Sequence, residues 1–335
     1  MNRRGSVFIL VIWSLLFLGI LAVGLSRRVF TEIELAAFSK TKVQARSLAL
    51  AATKIGEQAL LANKNPYIAL NQFWSTGKLS EESPSAFRNI PLGEGEFSIR
   101  VYKPAPSPEE PAFEHFGLID EERKLNINTA DAKSLETLIR KVTSLDLMGA
   151  NTLANSIVDW RDQDTFSSPG GAEDGYYSGL DPSYECKDAP FQVLEELHFV
   201  RGMTPQVFTQ LEEFVTVFGN GVLNINTVGE DTLVALGLEE SIVSRIVNYR
   251  RGLDQRDGSS DDKIFESAGS IGPELLDEGI LSEEEAALVS SLASRGAIGV
   301  SSEHFALHAE GKADKRVKRI VCVMNRDGNV LSWRE

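Results

Sequence analysis

The sequence predicts an α+β protein built from a long N-terminal helix, an antiparallel sheet split in sequence, and a large α-helical domain inserted between the sheet's halves. Three observations lead there. Residues 6–25 form an apolar run without a charged side chain, strand-like alternation occurs near residue 97 and returns only after residue 304, and the stretch between carries helical periodicity.

The N-terminal helix comes first. SVFILVIWSLLFLGILAVGL, from Ser6 to Leu25, has the roughly 20 apolar residues needed to cross a hydrocarbon layer about 30 Å thick. A secretory signal would have a shorter core ending at a small-residue cleavage site, whereas here the run continues to Arg27 and Arg28. Arg3 and Arg4 precede the span, so flanking charge nearly cancels and does not by itself fix orientation. Beyond the span, Leu48, Ala51, Ala52, Ile55 and Ala59 recur at helical spacing, with no Pro or Gly interrupting until Gly56. The helix is therefore expected over 6–62, with the membrane span at 6–25.

The sheet follows in two pieces. Phe97, Ile99 and Val101 alternate with Ser98, Arg100 and Tyr102, a period of two that buries one face. The proline-rich stretch from Pro104 to Pro111 interrupts it. Near the C-terminus, Phe305, Leu307 and Ala309 precede a turn, and Ile320 to Val323 lead into Asp327-Gly328, a strong hairpin signal. These pieces assign one α/β domain to 63–124 plus 296–335 and leave 125–295 as the helical insert.

The insert contains an internal echo. Leu125-Asn126-Ile127-Asn128-Thr129 returns as Leu223-Asn224-Ile225-Asn226-Thr227. Each copy precedes a helical pattern, and the copies end alike, in Ile157-Val158-Asp159-Trp160-Arg161 and Ile246-Val247-Asn248-Tyr249-Arg250. Thr129 and Thr227 stand where an N-cap hydroxyl would satisfy the free amides of the next helix. The phrase resembles helix-hairpin-helix modules, some of which hold DNA phosphates on backbone amides. That raises a rival function, a membrane-anchored DNA-binding or DNA-uptake protein. Met148-Gly149-Ala150-Asn151 and Leu238-Glu239-Glu240-Ser241 are poor in Gly and Lys, however, and the formal net charge of the 335-residue chain is -14. Affinity for nucleic acid rests largely on clustered cations, so nucleic acid is not expected as a partner.

The segment from 159 to 185 is the most chemically distinctive. Asp159, Asp162, Asp164, Glu173, Asp174, Asp181 and Glu185 face only Arg161 as a positive charge. Ordering such a cluster without a cation would cost several kcal/mol or force some groups to stay protonated. A hard divalent ion removes the conflict. Calcium fits best, because it accepts six to eight oxygens in irregular geometry. Softer metals fit poorly, since the loop has no His and only Cys186 nearby. Spacings of three and two let Asp159, Asp162 and Asp164 converge where a helix gives way to a turn, and Pro169-Gly170-Gly171 lets the chain bring Glu173 and Asp174 back. The alternative is a solvated acidic loop without metal. Trp160, Phe166, Tyr176 and Tyr177, interleaved with the carboxylates, favour a packed loop instead.

No Gly-x-Ser-x-Gly elbow, His-Glu-x-x-His pair, phosphate-binding Gly-Lys-Ser/Thr loop or dinucleotide fingerprint is present. The four histidines are scattered, and His304 and His308 read as surface or half-buried residues. No catalytic activity is expected. Cys186 and Cys322 could form at most one bridge, and the sequence does not say whether they do.

A resemblance ties these features together. Met1-Asn2-Arg3-Arg4-Gly5 followed at once by the apolar helix looks like a prepilin leader. The Asp159-Trp160-Arg161-Asp162-Gln163-Asp164 stretch, Gly171-Ala172-Glu173-Asp174-Gly175-Tyr176-Tyr177, Asp188-Ala189-Pro190-Phe191 and Leu194-Glu195-Glu196-Leu197 resemble the signature of protein K of type II secretion. Leu10, where most pilins carry Glu, matches a peculiarity of that type. The resemblance implies a leader at 1–5 cut after Gly5 by prepilin peptidase and methylation of Ser6 as the mature N-terminus. It also implies a pilin-like sheet domain and structural calcium held by Asp159, Asp162, Asp164, Glu173 and Asp174. The expected location is the inner membrane of a Gram-negative-type bacterium, single-pass, with the C-terminal domain in the periplasm. The expected role is that of a minor pseudopilin at the filament tip, beside the I and J types and the major pseudopilin, on an inner-membrane secretion platform.

Overall fold

The computed structural model describes residues 3–103 and 113–335, with side chains assigned from Val7 onward outside 102–114. Met1, Asn2 and the proline-rich stretch lie outside the described residues. The first element is a single helix, α1, Arg3–Ala62. It divides into two regimes. From Val7 to Val43 its large apolar side chains are exposed, whereas from Ala45 onward one side is buried. Among the described residues it is the one helix long and apolar enough to cross a membrane.

The chain then runs through a short helix α2 (Phe73–Thr76) and strands β1 (Ile90–Leu92), β2 (Gly95–Lys103), β3 (Phe113–Phe116) and β4 (Ile119–Asp120). The insert opens with β5 (Leu125–Asn126) and continues through α3 (Ala132–Val142), α4 (Leu147–Arg161), α5 (Asp174–Tyr177), α6 (Pro205–Leu211) and β6 (Val215–Thr216). Its second half comprises β7 (Leu223–Asn224), α7 (Glu230–Ala235), α8 (Glu240–Arg250), α9 (Ile271–Asp277), α10 (Glu283–Ser294) and β8 (Ile298–Gly299). The C-terminal strands are β9 (His304–Ala313), β10 (Arg316–Asn325) and β11 (Val330–Arg334). The architecture is α+β, as the sequence predicts.

The main sheet runs β1-β2-β9-β10-β11, with β3 on β2 and β4 on β9, all antiparallel. β2 pairs directly with β9, Ile99 opposite Ala309, so the strands before and after the insert are neighbours in one sheet. The Asp327-Gly328 signal marks the β10–β11 hairpin, where Gly328 takes the left-handed φ of 82° that the turn needs.

Helix α1 packs on this sheet at unusually close range. A Cβ on Gly311 would lie 2.1 Å from the Ala45 carbonyl oxygen and 2.3 Å from the Ala49 nitrogen, and one on Gly56 would lie 2.0 Å from Leu307 Cδ1. Small residues on both surfaces make the approach possible, and Ala45, Leu48, Ala49, Ala52, Ala59 and Leu60 are buried along the seam. The sequence reading places Ile55 on this stripe. The structure corrects that, because Ile55 is 40% exposed and the seam is set by Ala49 and Gly56 instead.

Two separate cores fill the insert, one centred on Ile127, Leu135, Leu153 and Ile157 and the other on Ile225, Leu233, Ile246 and Val289. The LNINT copies are the same structure twice. Asn126 and Asn224 each accept the amide two residues on, from Asn128 and Asn226. Asn128 then pairs with both backbone groups of Phe191, and Asn226 does so with Phe265. Arg161 closes the first copy by donating to the Ile127 and Ala130 carbonyls, and Arg250 closes the second on Ile225 and Val228. Each copy begins with a two-residue parallel strand pair, β5 with β6 and β7 with β8. Thr129 and Thr227 are not N-caps. Asp131 caps α3 through the Ser134 amide, and Gly229 precedes α7 without a side-chain cap. Helix entry comes two residues later than the sequence suggests because the asparagine hook occupies the intervening turn.

Asp120 ties the sheet domain to the second copy. It is 1% exposed and accepts from the Glu122 amide, Asn224 Nδ2, Thr227 Oγ1 and Ser302 Oγ. Burial and the neighbouring Glu122 push its carboxyl up to about 7. Next to it, Glu122 holds His304 through Nδ1 at 2.7 Å, which raises the imidazole above its ordinary value.

Candidate metal centre

Helix α4 ends at Arg161, with Asp162 as its C-cap, so the carboxylates after Trp160 fan out where helical geometry stops. The chain then turns through Gly170, whose φ is 82°, and passes Gly171 so close to Asp159 that no side chain fits there. A Cβ on Gly171 would stand 2.0 Å from Asp159 Oδ2. Asp159, wholly buried, accepts from the Ser168 amide and the Ser167 hydroxyl, which fixes the loop over the end of α4. Trp160 and Tyr177 sit beneath it in edge-to-face contact at 5.1 Å. Tyr176 lies under the Arg201 guanidinium, and Phe166 points outward, 81% exposed. The aromatics thus pack half of the loop.

The fold gathers Asp162, Asp164 and Glu173, one oxygen of each lying within 4.8 Å of the others. A second group, Glu173, Cys186 and Asp188, meets the same measure and shares Glu173. Glu173 is 6% exposed, and neither of its oxygens, nor Asp162 Oδ1 or Asp188 Oδ1, meets an N–H or O–H donor; the Cys186 thiol is the weak donor beside Glu173 and Asp188. Among the described residues no lysine or arginine forms an ion pair with these four carboxylates. Burial, then Asp188, Asp159 and Asp162, push the Glu173 carboxyl up to about 7, and burial with Asp164 and Asp159 raises Asp162. A buried carboxylate with only a weak thiol donor and no counter-charge is the arrangement that a cation resolves.

The second copy shows the other solution. After Arg250 comes Arg251, and both reach Asp257, at 3.1 and 3.3 Å. In the first copy the residue after Arg161 is Asp162, while Arg161 itself is spent on backbone carbonyls. Where one copy neutralises its loop with arginine, the other leaves its carboxylates facing each other. The loop is also longer: the asparagine hook reaches a phenylalanine 63 residues on in the first copy and 39 in the second.

Of the residues singled out from the sequence, Asp162, Asp164 and Glu173 come together. Asp159 is adjacent, with its oxygens already turned to Ser167 and Ser168. Asp174 accepts the Cys186 amide at 2.7 Å and so positions the returning strand of the loop. Sequence reasoning missed Asp188. Its signal is its place in the Asp188-Ala189-Pro190-Phe191 stretch just before Phe191, the residue that Asn128 clamps, and that clamp together with Asp174 holds 186–188 at the cluster. The donor set, carboxylates with no imidazole, suits a hard ion, and Asp162, Asp164, Glu173 and Asp188 would hold it. Bound calcium supplies fixed positive charge and no covalent chemistry.

Both cysteines are free and buried, Cys186 in the first insert core and Cys322 in the sheet core, so they do not pair with each other.

Comparison with known proteins bears on the fold that carries this loop. The family model of type II secretion system protein K matches residues 118–220, which include the first LNINT copy and the acidic loop. A type II secretion system protein K from Aeromonas hydrophila is 33% identical over 114 residues, 32% of this chain and 34% of that protein, so the chain spans about a third of the relative's length in the match. Among solved structures, a chain of the GspK-GspI-GspJ complex of the enterotoxigenic Escherichia coli type 2 secretion system superposes with a TM-score of 0.58. It is 19% identical, over 92% of this chain and 98% of that one, which shows the fold. Residues 118–220 of this chain are thus similar to a type II secretion system protein K domain.

Proposed function

We propose that this chain is a minor pseudopilin of type II secretion, which joins the I- and J-type minor pseudopilins at the filament tip, starts assembly and supports export of folded proteins across the outer membrane. The observation that carries the reading is the two-regime helix α1. Its first part is apolar and exposed on all sides, and its second part is sealed under the sheet. An exposed apolar rod needs lipid or neighbouring rods around it, and a filament assembled from membrane-anchored subunits supplies both. The insert, 125–295, adds a second folded mass between the two halves of the sheet. Stacked along a shaft, copies of it would collide, so a terminal position follows. The similar solved chain belongs to a complex with GspI and GspJ, which supports the choice of partners.

On this reading prepilin peptidase cuts after Gly5, Ser6 carries a methyl group, and the folded domains occupy the periplasm. Cys186 and Cys322, both buried thiols, take no part. Calcium stiffens the 159–188 loop. Catalysis plays no part in the role, which is one of shape and assembly. The DNA-binding alternative has no specific observation in its favour.

Intact mass measurement of protein extracted from its own host's membranes tests the processing. The expected mass lacks Met1 to Gly5 and carries one methyl group. A chain retaining Met1 in a cell with active prepilin peptidase would contradict it.

A further inference from the structure

Three consecutive carboxylates, Asp120, Glu121 and Glu122, are buried where the sheet domain meets the insert, at 1, 4 and 7% exposure. Each serves a different body. Asp120 Oδ2 accepts from Asn224 Nδ2 at 3.2 Å and from Thr227 Oγ1, both on the second copy, and from Ser302 Oγ at 2.7 Å. Glu121 accepts from Thr216 Oγ1 of the first copy and pairs with Lys124 at 2.6 Å. Glu122 turns to β9, taking the His304 amide at 3.1 Å on one oxygen and Nδ1 at 2.7 Å on the other. Asn224 also donates to the Ile68 carbonyl of the sheet domain at 3.0 Å, so its side chain spans the joint.

We propose that this turn is a proton-operated latch: with protons held at Asp120 and His304 it fastens the second copy to the sheet domain, and without them residues 119–124 and 302–304 open while both insert cores stay folded. Two features of the geometry carry it. Among the described residues no cation pairs with Asp120, which relies on neutral donors alone. Thr227 gives the proton a place, since its hydroxyl can accept from a protonated Asp120 and turn its own hydrogen to the Asn224 carbonyl, 3.4 Å away. The charged groups around the latch are Glu121, Glu122, Arg123 and Lys124 on its own turn and Glu303 and His304 on the returning chain. Beyond Arg123 stand His115 of β3 and Arg250 of the second copy, while the first copy presents the neutral Thr216.

Burial, then the Glu122 charge, push the Asp120 carboxyl up to about 7, and the hydrogen bond to Glu122 raises the His304 imidazole. Opening admits water and restores ordinary values, about 3.9 for Asp and 6.5 for His. The closed joint thus holds protons that the open one releases. Its closure is fully supported below the ordinary values and weakens as pH rises through the folded ones. Between about pH 5.5 and pH 8 the Asp120 carboxyl alone favours opening by roughly 30-fold. Overall unfolding releases the same protons, so a latch is marked by opening that exposes little surface.

Hydrogen exchange of the full-length protein in detergent tests the latch, run between about pH 5.5 and pH 8 and at several urea concentrations below the unfolding transition. After correction for the intrinsic exchange rate, peptides covering 119–124 and 302–304, which contain the Glu122 and His304 amides of the joint, should open roughly 30-fold more readily at the higher pH and respond only weakly to urea. Peptides from α4 and α8, in the two insert cores, should follow urea steeply. Asp120→Asn, neutral at every pH, should lose most of the pH response, and His304→Gln a smaller part. Joint peptides that open equally at both pH values, that follow urea as steeply as the cores, or that keep their full pH response in Asp120→Asn would each overturn the proposal. The first two comparisons need only the wild type, so they decide the matter even where Asp120→Asn does not fold.

Discussion

Gly171 lies against Asp159 with no room for a methyl group, the nearest carboxylate oxygen standing 2.0 Å from where its Cβ would be. The contact joins the last turn of α4 to the returning strand of the loop and so sets the distance between Asp162 and Glu173. Gly171→Ala must push one of them away. Overpacking of this kind typically costs about 1–3 kcal/mol. The expected result is a lower melting temperature together with weaker calcium stabilisation, read by thermal melts with and without chelator, whereas Gly175→Ala, which meets nothing within 4 Å, should change neither.

Glu173→Gln should act in opposite directions with and without the ion. In chelator the substitution removes a buried, unpartnered carboxylate and leaves stability unchanged or raised, as replacing an uncompensated buried charge does. With calcium in excess it removes a ligand, and the gain in melting temperature on adding calcium should shrink to a small fraction of the wild-type gain. Asp162→Ala with Asp164→Ala should abolish that gain as well. A wild-type protein whose melt is the same in calcium and in chelator would end the structural-calcium account.

Gly311→Ala tests the helix–sheet seam. The added methyl would meet backbone atoms of α1, at 2.1 and 2.3 Å, which cannot rotate aside. Urea unfolding should show a loss of at least the roughly 1–3 kcal/mol of ordinary overpacking. Gly93→Ala, with nothing near it but a φ of 62°, separates steric clash from backbone strain and should cost less.

The Asp120–Glu122–His304 joint should make stability depend on pH. His304 is raised by its hydrogen bond to Glu122, and Asp120 is pushed up to about 7 by burial and Glu122, so the folded state holds protons that the unfolded chain releases. Their contributions are complete below the unfolded pKa values, about 6.5 for His and 3.9 for Asp, and are lost as pH rises through the folded values. The urea midpoint should therefore fall between about pH 5.5 and pH 8, and His304→Gln should narrow that fall. An equal fall in the variant would remove His304 from the explanation.

Much of this was legible in the sequence where the signal is local. The charge-free run after Gly5, the alternation at Phe97 to Val101, the Asp327-Gly328 turn and the two LNINT copies each announce themselves within a few residues, and each matches an element. Asp162, Asp164 and Glu173 were legible because their crowding is visible along the chain. The approach of Asp188 was not, because it depends on the clamp between Asn128 and Phe191, 63 residues apart, and on Asp174 holding the Cys186 amide. Ile55 misled for a related reason: the seam under α1 follows the glycines of the opposing strand, which one-dimensional periodicity does not contain. The Asp120 hub draws its donors from Asn224, Thr227 and Ser302, more than 70 residues away, and no pattern near Asp120 marks it.

The most direct measurement of the central claim is co-purification of the processed protein with I- and J-type minor pseudopilins of the same secretion system, expressed together and separated by size-exclusion chromatography. The account predicts one species containing all three, formed by the wild type and weakened by Gly311→Ala, which disturbs the seam between α1 and the sheet. Elution of this chain apart from both partners, with its fold intact by circular dichroism, would contradict it.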